Sequence, residues 1–155
     1  MKKLELSFPS DTEIRFVRYF DAPRDLVWRG WTEAAHLEQW MTGPDGWTME
    51  VLKNELRPGG AWEYVWQNSN GTEMRMHGVH QEVVAPEKLV STENWGDPWP
   101  ESINHLLLTE EQGRTRMTLT ISYISKQARD NAAQTGMADG MEPSFARLDE
   151  LLIRA

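Results

Sequence analysis

The residues best suited to chemistry at neutral pH are the four histidines, His36, His77, His80 and His105, which can titrate, move protons or hold a metal. His77 and His80 stand three positions apart in a segment that reads as a strand. Period-two alternation sends them to opposite faces, so they cannot chelate one ion together. His36 falls in a helical segment and His105 in a late strand. No HExxH or other carboxylate–histidine spacing occurs. The chain has no cysteine, which removes thiolate metal sites, disulfides and a cysteine nucleophile. His80 and His105 remain as polar handles or acid/base groups, should their strands turn them inward. Gly59-Gly60 lacks the Lys-Ser/Thr and the helix start of a phosphate loop and reads as a turn entering a strand. Glu93 lies mid-strand between Thr92 and Asn94. Facing a dry pocket its carboxyl would have a raised pKa and could serve as an acid; facing water it would be ordinary. These residues compose no set of nucleophile, base and orienting group, so no catalytic residue, metal or cofactor is assigned.

The aromatic and methionine residues carry a stronger pattern. The chain holds eight tryptophans and eight methionines. Residues 61–67 alternate strictly and put Trp62, Tyr64 and Trp66 on one face. Asn68-Ser69-Asn70-Gly71 is a hairpin turn, because Asn-Gly readily adopts positive φ. The return strand then offers either Met74, Met76, Gly78 and His80 or, one residue out of register, Arg75, His77 and Val79. The apolar choice is the one expected inward, and Met beside Trp gives an adaptable apolar lining. Beyond Ser125, a helix N-cap, residues Ala128, Ala132, Gly136, Met137, Gly140, Met141, Phe145 and Leu148 recur at helical spacing up to the C-terminal end. Gly136 and Gly140, one turn apart, imply either close backbone approach or space left open, and Pro143 is expected to kink this helix. The residues expected to line a ligand pocket are Trp40, Trp62, Tyr64, Trp66, Met76, His80, Trp95, His105, Met137, Met141 and Phe145. Trp40, beside Gly43-Pro44, is a candidate gate, and Trp95 and Trp99 flank a Pro-rich loop that would close the same end.

Positioning these residues requires a particular set of elements. A strand over 12–20 is followed by two short helices, 23–31 and 33–40, with Asp21 and Thr32 as candidate caps. Strands at 47–55, 61–67, 72–84, 89–95, 102–110 and 114–123 follow, joined by short turns, and imply an antiparallel meander. A single long amphipathic helix must then bury its stripe on that sheet, and a twisted, curved sheet leaves a cavity beside it. A chain of 155 residues suits one domain, here 1–155. With 24 acidic against 16 basic residues the net charge is -8, which argues against nucleic acid and anionic membrane surfaces as partners. The beginning, Met1-Lys2-Lys3-Leu4-Glu5, carries no apolar h-region, and no apolar run reaches the roughly 18 residues of a membrane span. The expectation is a cytoplasmic protein.

Several short motifs in order complete the picture. Phe20-Asp21-Ala22-Pro23-Arg24 with Val27-Trp28, Arg57-Pro58-Gly59-Gly60-Ala61-Trp62, Pro86-Glu87-Lys88-Leu89-Val90 and Thr135-Gly136-Met137 resemble the family named for the activator of heat-shock protein 90 ATPase, over about residues 12–153. That family is similar to START lipid-transfer domains, polyketide cyclases and the birch-pollen allergen. The resemblance implies an α+β helix-grip fold, a curved antiparallel sheet of about seven strands around a long C-terminal helix, with a pocket between them. It implies much less about activity, because fold does not set function; the leading reading is a non-enzymatic binding protein whose partner is a small hydrophobic ligand, aromatic or polycyclic. A polyketide-cyclase-like enzyme and a co-chaperone-like interaction protein, the latter favoured by an exposed apolar stretch near 95–100, are the other readings. A homodimer is compatible with all three.

Overall fold

Residues 4–154 are described in the computed structural model of this chain, so Met1, Lys2 and Lys3, part of the segment read for a leader, lie outside the described residues. Eight strands, β1 (Glu5–Ser10), β2 (Glu13–Phe20), β3 (Trp47–Asn54), β4 (Ala61–Asn68), β5 (Glu73–Val84), β6 (Lys88–Glu93), β7 (Ser102–Glu111) and β8 (Arg114–Ser122), form one sheet in the order β1-β2-β8-β7-β6-β5-β4-β3. All neighbours are antiparallel. Two helices, α1 (Arg24–Thr32) and α2 (Ala34–Trp40), separate β2 from β3, and α3 (Lys126–Ala133) and α4 (Met137–Arg154) follow β8. This is the helix-grip arrangement. The β7–β8 hairpin turns on Gln112 and Gly113, whose φ angles of 55° and 80° match a primed turn and suit the twist of the strands. No helix among the described residues is long and apolar enough to cross a membrane.

The chain departs from expectation at both ends. β1 adds an eighth strand where about seven were expected. Its residues are all exposed, Leu6 and Phe8 at 47% and 49%, so it is held by its pairing with β2 rather than by a buried face. The C-terminal helix is not continuous. The Ser125 hydroxyl accepts from the Ala128 amide at 3.0 Å and caps α3, but the backbone reverses at Gly136, with φ of +75°, before α4 begins. Gly136 is therefore a helix-ending glycine, free of the steric penalty a side chain meets there. α4 runs through Pro143, and the break lies ahead of it. The two expected caps have other partners: Asp21 accepts from Arg114 at 3.1 Å, and the Thr32 hydroxyl donates back to the Trp28 carbonyl at 2.7 Å.

Alternation along β2 turns Ile14, Phe16, Arg18 and Phe20 inward, next to Met117, Leu119 and Ile121 of β8. α4 covers this surface with Phe145 and Leu148. α1 fits closely against α4 at Gly30, where an added Cβ would stand 2.8 Å from Leu148 Cδ1. Arg18 is the one charged residue in that β2 row, and it is 1% exposed. Its Nε and Nη2 donate to Glu142 at 3.0 and 2.8 Å, and Nη1 and Nη2 donate to Asp149 at 3.1 and 2.8 Å. Glu142 and Asp149 are seven residues apart, two turns of α4, so a single guanidinium fork spans both. Desolvation works against the charge, but the hydrogen bonds to Asp149 and Glu142 outweigh it, and the pKa of Arg18 is raised. The rings of Phe20 and Phe145 flank the guanidinium at 4.9 and 5.8 Å.

Breaking a buried ionic network of this kind costs roughly 3–5 kcal/mol, and the partial exposure of Glu142 places this one at the low end. Arg18→Ala is expected to lower the unfolding free energy by about 3 kcal/mol in urea titration. A loss below about 1 kcal/mol would mean that the network does not hold α4 to the sheet.

Candidate functional site

The hairpin turn at residues 68–71 sets the register of β4 against β5. Asn68 Oδ1 accepts from the amides of Asn70 and Thr72 at 2.9 and 3.0 Å, and the pairs Trp62↔Gly78, Tyr64↔Met76 and Trp66↔Met74 follow. Trp62, Tyr64, Met76 and His80 share the inner face and are buried, while Arg75, His77 and Val79 point outward. Gly78 makes room for this face: a Cβ there would stand 2.7 Å from Trp62 Nε1 and overlap the Thr92 carbonyl oxygen. Gly59 and Gly60 serve the sheet too, exchanging backbone hydrogen bonds with His80 at 2.7 and 2.8 Å.

Between this face and α4 lies a cavity of about 330 Å³. Met137, Gly140, Met141 and Phe145 form its helical wall, at the three- and four-residue spacing of one helix face. Gly140 is exposed, and an added Cβ there would meet nothing within 4 Å, so this glycine does not serve close packing.

The aromatic walls are fixed. Trp40 is 1% exposed, stacks on Phe145 at 5.8 Å, meets Trp31 edge-on at 4.9 Å and donates from Nε1 to the Gly30 carbonyl at 2.8 Å. This corrects its reading as a gate: a side chain held on three sides is wall. The loop after it is tied down as well, because Trp66 Nε1 donates to the Met41 carbonyl at 2.8 Å and Arg147 Nη2 to the Gly43 carbonyl at 2.7 Å. Trp95 stacks on Trp66 at 5.7 Å and covers one end of the cavity, whereas Trp99 is 42% exposed and stands off the wall.

The expected lining residues all stand on the cavity wall except His105. His105 pairs with Val90 and Thr120, and its Nε2 lies 3.4 Å from the Ser122 hydroxyl. The inward residues of β7 are its neighbours Asn104 and Leu106. Asn104, Ser91 and Trp31 were not foreseen on the wall. No local signal marked Asn104, because the following Leu106, Leu107 and Leu108 are apolar on both faces of the strand.

Two polar clusters interrupt the apolar lining. In the first, His80 Nδ1 lies 2.7 Å from Ser91 Oγ, and Nε2 lies 2.8 Å from Asn54 Oδ1. The Asn54 amide nitrogen donates to the Thr32 carbonyl at 2.9 Å, so its oxygen faces the ring and the proton of the neutral ring sits on Nε2. Nδ1 then accepts from the Ser91 hydroxyl. Burial lowers the pKa of His80 and favours this neutral form. In the second cluster, the Glu93 carboxyl accepts from Asn104 Nδ2 at 2.6 Å and from Trp95 Nε1 at 2.7 Å. Desolvation raises its pKa, and these two hydrogen bonds offset part of the rise. Burial first, and the Glu93 charge second, push the hydroxyls of Tyr64 and Tyr123 up in turn. Three polar atoms of wall residues, Trp31 Nε1, Trp62 Nε1 and Asn104 Oδ1, are buried within the protein and lack a hydrogen-bond partner. Among the described residues no three of His, Asp and Glu converge as metal ligands would.

With this geometry in place, comparison with known proteins decides the family. The sequence model of the family described as "Activator of Hsp90 ATPase homolog 1-like protein" matches residues 21–153. The chain belongs to this family. A Rhodobacter sphaeroides protein of known structure has a similar fold over 99% of both chains, at 27% identity and a TM-score of 0.94. A Nitrosomonas europaea protein matches over 95% of this chain and 97% of its own, at 26% identity and a TM-score of 0.82. A Mycobacterium smegmatis protein shares the fold over 97% of each chain, at 24% identity and a TM-score of 0.85. No curated protein matches the chain significantly. The family and the fold thus stand together.

A carboxyl with a raised folded pKa favours the protonated form in the native state. Its stabilising contribution is complete below the ordinary carboxylate range and is lost as the pH rises through the raised value. Glu93→Gln removes that titration. Urea unfolding between about pH 4 and pH 8 should therefore show the wild type losing stability relative to Glu93→Gln as the pH rises. A constant difference between the two proteins across that range would contradict a desolvated Glu93.

Proposed function

We propose that the protein binds a small hydrophobic molecule, aromatic or polycyclic, in the cavity between the sheet and α4. The observation that supports this most is the cavity itself. Its volume of about 330 Å³ lies near the lower end of the roughly 300–1,000 Å³ of ligand pockets, which favours a compact ligand over a long lipid. Its walls are aromatic rings and methionines, with broad apolar faces. Cavities left open without a ligand cost stability in proportion to their volume.

One observation favours a second reading, in which the bound molecule is also converted with acid/base help as in polyketide cyclases. Glu93 presents a carboxyl of raised pKa to the same space. A cyclase can act largely by holding its substrate folded, with one such group assisting.

Titrating tryptophan fluorescence with flavonoids, aromatic polyketides, sterols and fatty acids tests the first reading. Trp62, Trp66 and Trp95 stand on the wall, so an aromatic occupant should give a saturable change. Folded Trp62→Ala and Tyr64→Ala variants should lose about tenfold or more in affinity, the scale of a lost aromatic contact. A flat response across the whole panel from folded protein would contradict ligand binding. Mass-spectrometric detection of a product from any binder, absent with Glu93→Gln, would bring the second reading forward.

A further inference from the structure

We propose that the molecule bound in the cavity is cationic, a protonated amine on an apolar body, with its nitrogen held beside Glu93. This rests on the binding reading above and names the chemistry that the polar end of the cavity would select.

Glu93 is the one acidic residue on the cavity wall, and no lysine or arginine among the described residues lines it. His80 supplies no counter-charge, because both its nitrogens are engaged by Ser91 and Asn54 and burial favours its neutral form. The donors that Glu93 does have, Asn104 and Trp95, are uncharged and meet different oxygens, Oε1 and Oε2. Each carboxylate oxygen has room for a further donor. Burial by itself raises the Glu93 pKa and favours its neutral form; an ammonium in contact would supply the opposite charge that a buried carboxylate ordinarily requires and would favour ionisation.

The neighbouring groups select for the same partner. The Glu93 carboxyl, with a single donor on each oxygen, calls for a group with several N–H bonds. An ammonium has that form, whereas a hydroxyl offers a single donor and a carboxylate none. Three rings surround this end: Trp95 is tied to Glu93 through Nε1, Trp66 stacks on Trp95, and Tyr64 meets Trp66 edge-on at 6.1 Å. Ring faces carry partial negative charge and attract cations, most strongly where water is excluded.

A structural role for Glu93, orienting Trp95 and Asn104 and nothing else, makes the opposite forecast, and matched ligands separate the two. Calorimetric titration at neutral pH compares 2-(aminomethyl)naphthalene with 2-(hydroxymethyl)naphthalene, nearly equal in shape and different in charge. The wild type is expected to prefer the amine by about tenfold or more, a scale set by a desolvated cation–π contact together with a charge-assisted hydrogen bond. Glu93→Gln is expected to erase that preference. Equal binding of the two by wild type, or a preference that survives in Glu93→Gln, would overturn the cationic ligand and leave the binding reading standing. Binding of neither by folded protein would overturn the cationic ligand and count against binding as well.

Discussion

Arg18 joins the sheet to the helix that closes the cavity, and the rest of the architecture depends on that junction. A helix laid across a curved sheet normally gains its position from a continuous apolar contact. Here the contact is interrupted by empty space along α4 from Met137 to Phe145, so less apolar burial is available to fix the helix. The guanidinium fork to Glu142 and Asp149 fixes two successive turns of α4 against β2. Arg147 adds a second tie to the loop after α2. Ionic and hydrogen-bonded contacts are directional where dispersion is not, and they hold the helix at a set distance from the sheet. That distance is what keeps the cavity from collapsing.

The same logic explains the distribution of small residues. Gly30 lets α1 meet α4 closely at Leu148, at the packed end of the interface. Gly78 lets the Trp62 indole lie across the sheet. Gly140, which is exposed, has no such neighbour. The polar groups are arranged with comparable economy. His80 is fully engaged, while each oxygen of Glu93 has a single donor. Spare acceptor capacity is thereby concentrated at Glu93 on an otherwise largely apolar wall.

The sheet and much of the cavity wall were legible in the sequence because the signals are local. The alternation of Trp62, Tyr64 and Trp66 and the turn at Asn70-Gly71 together determine which face of β5 is inward. What escaped was either non-local or masked. Arg18 interrupts an apolar alternation and reads as a solvent-facing residue, since its partners lie 124 and 131 positions away. The helix break at Gly136 is hidden because Ala132, Gly136 and Gly140 preserve helical spacing across it. His105 was assigned to the wrong face because Leu106, Leu107 and Leu108 are apolar on both faces of β7, so alternation there carries no direction. β1 alternates well but buries nothing, and its pairing with β2 leaves no compositional mark.

The cavity between the sheet and α4 is the proposed seat of the ligand. The most direct measurement is binding by a Leu106→Trp variant, followed by fluorescence titration with any ligand that saturates the wild type, alongside its thermal unfolding. Leu106 is buried on the cavity wall, so the larger ring takes up space that a ligand needs, and the folded variant is predicted to lose the ligand. A folded Leu106→Trp protein that binds as tightly as wild type would contradict the account and place the ligand elsewhere on the molecule.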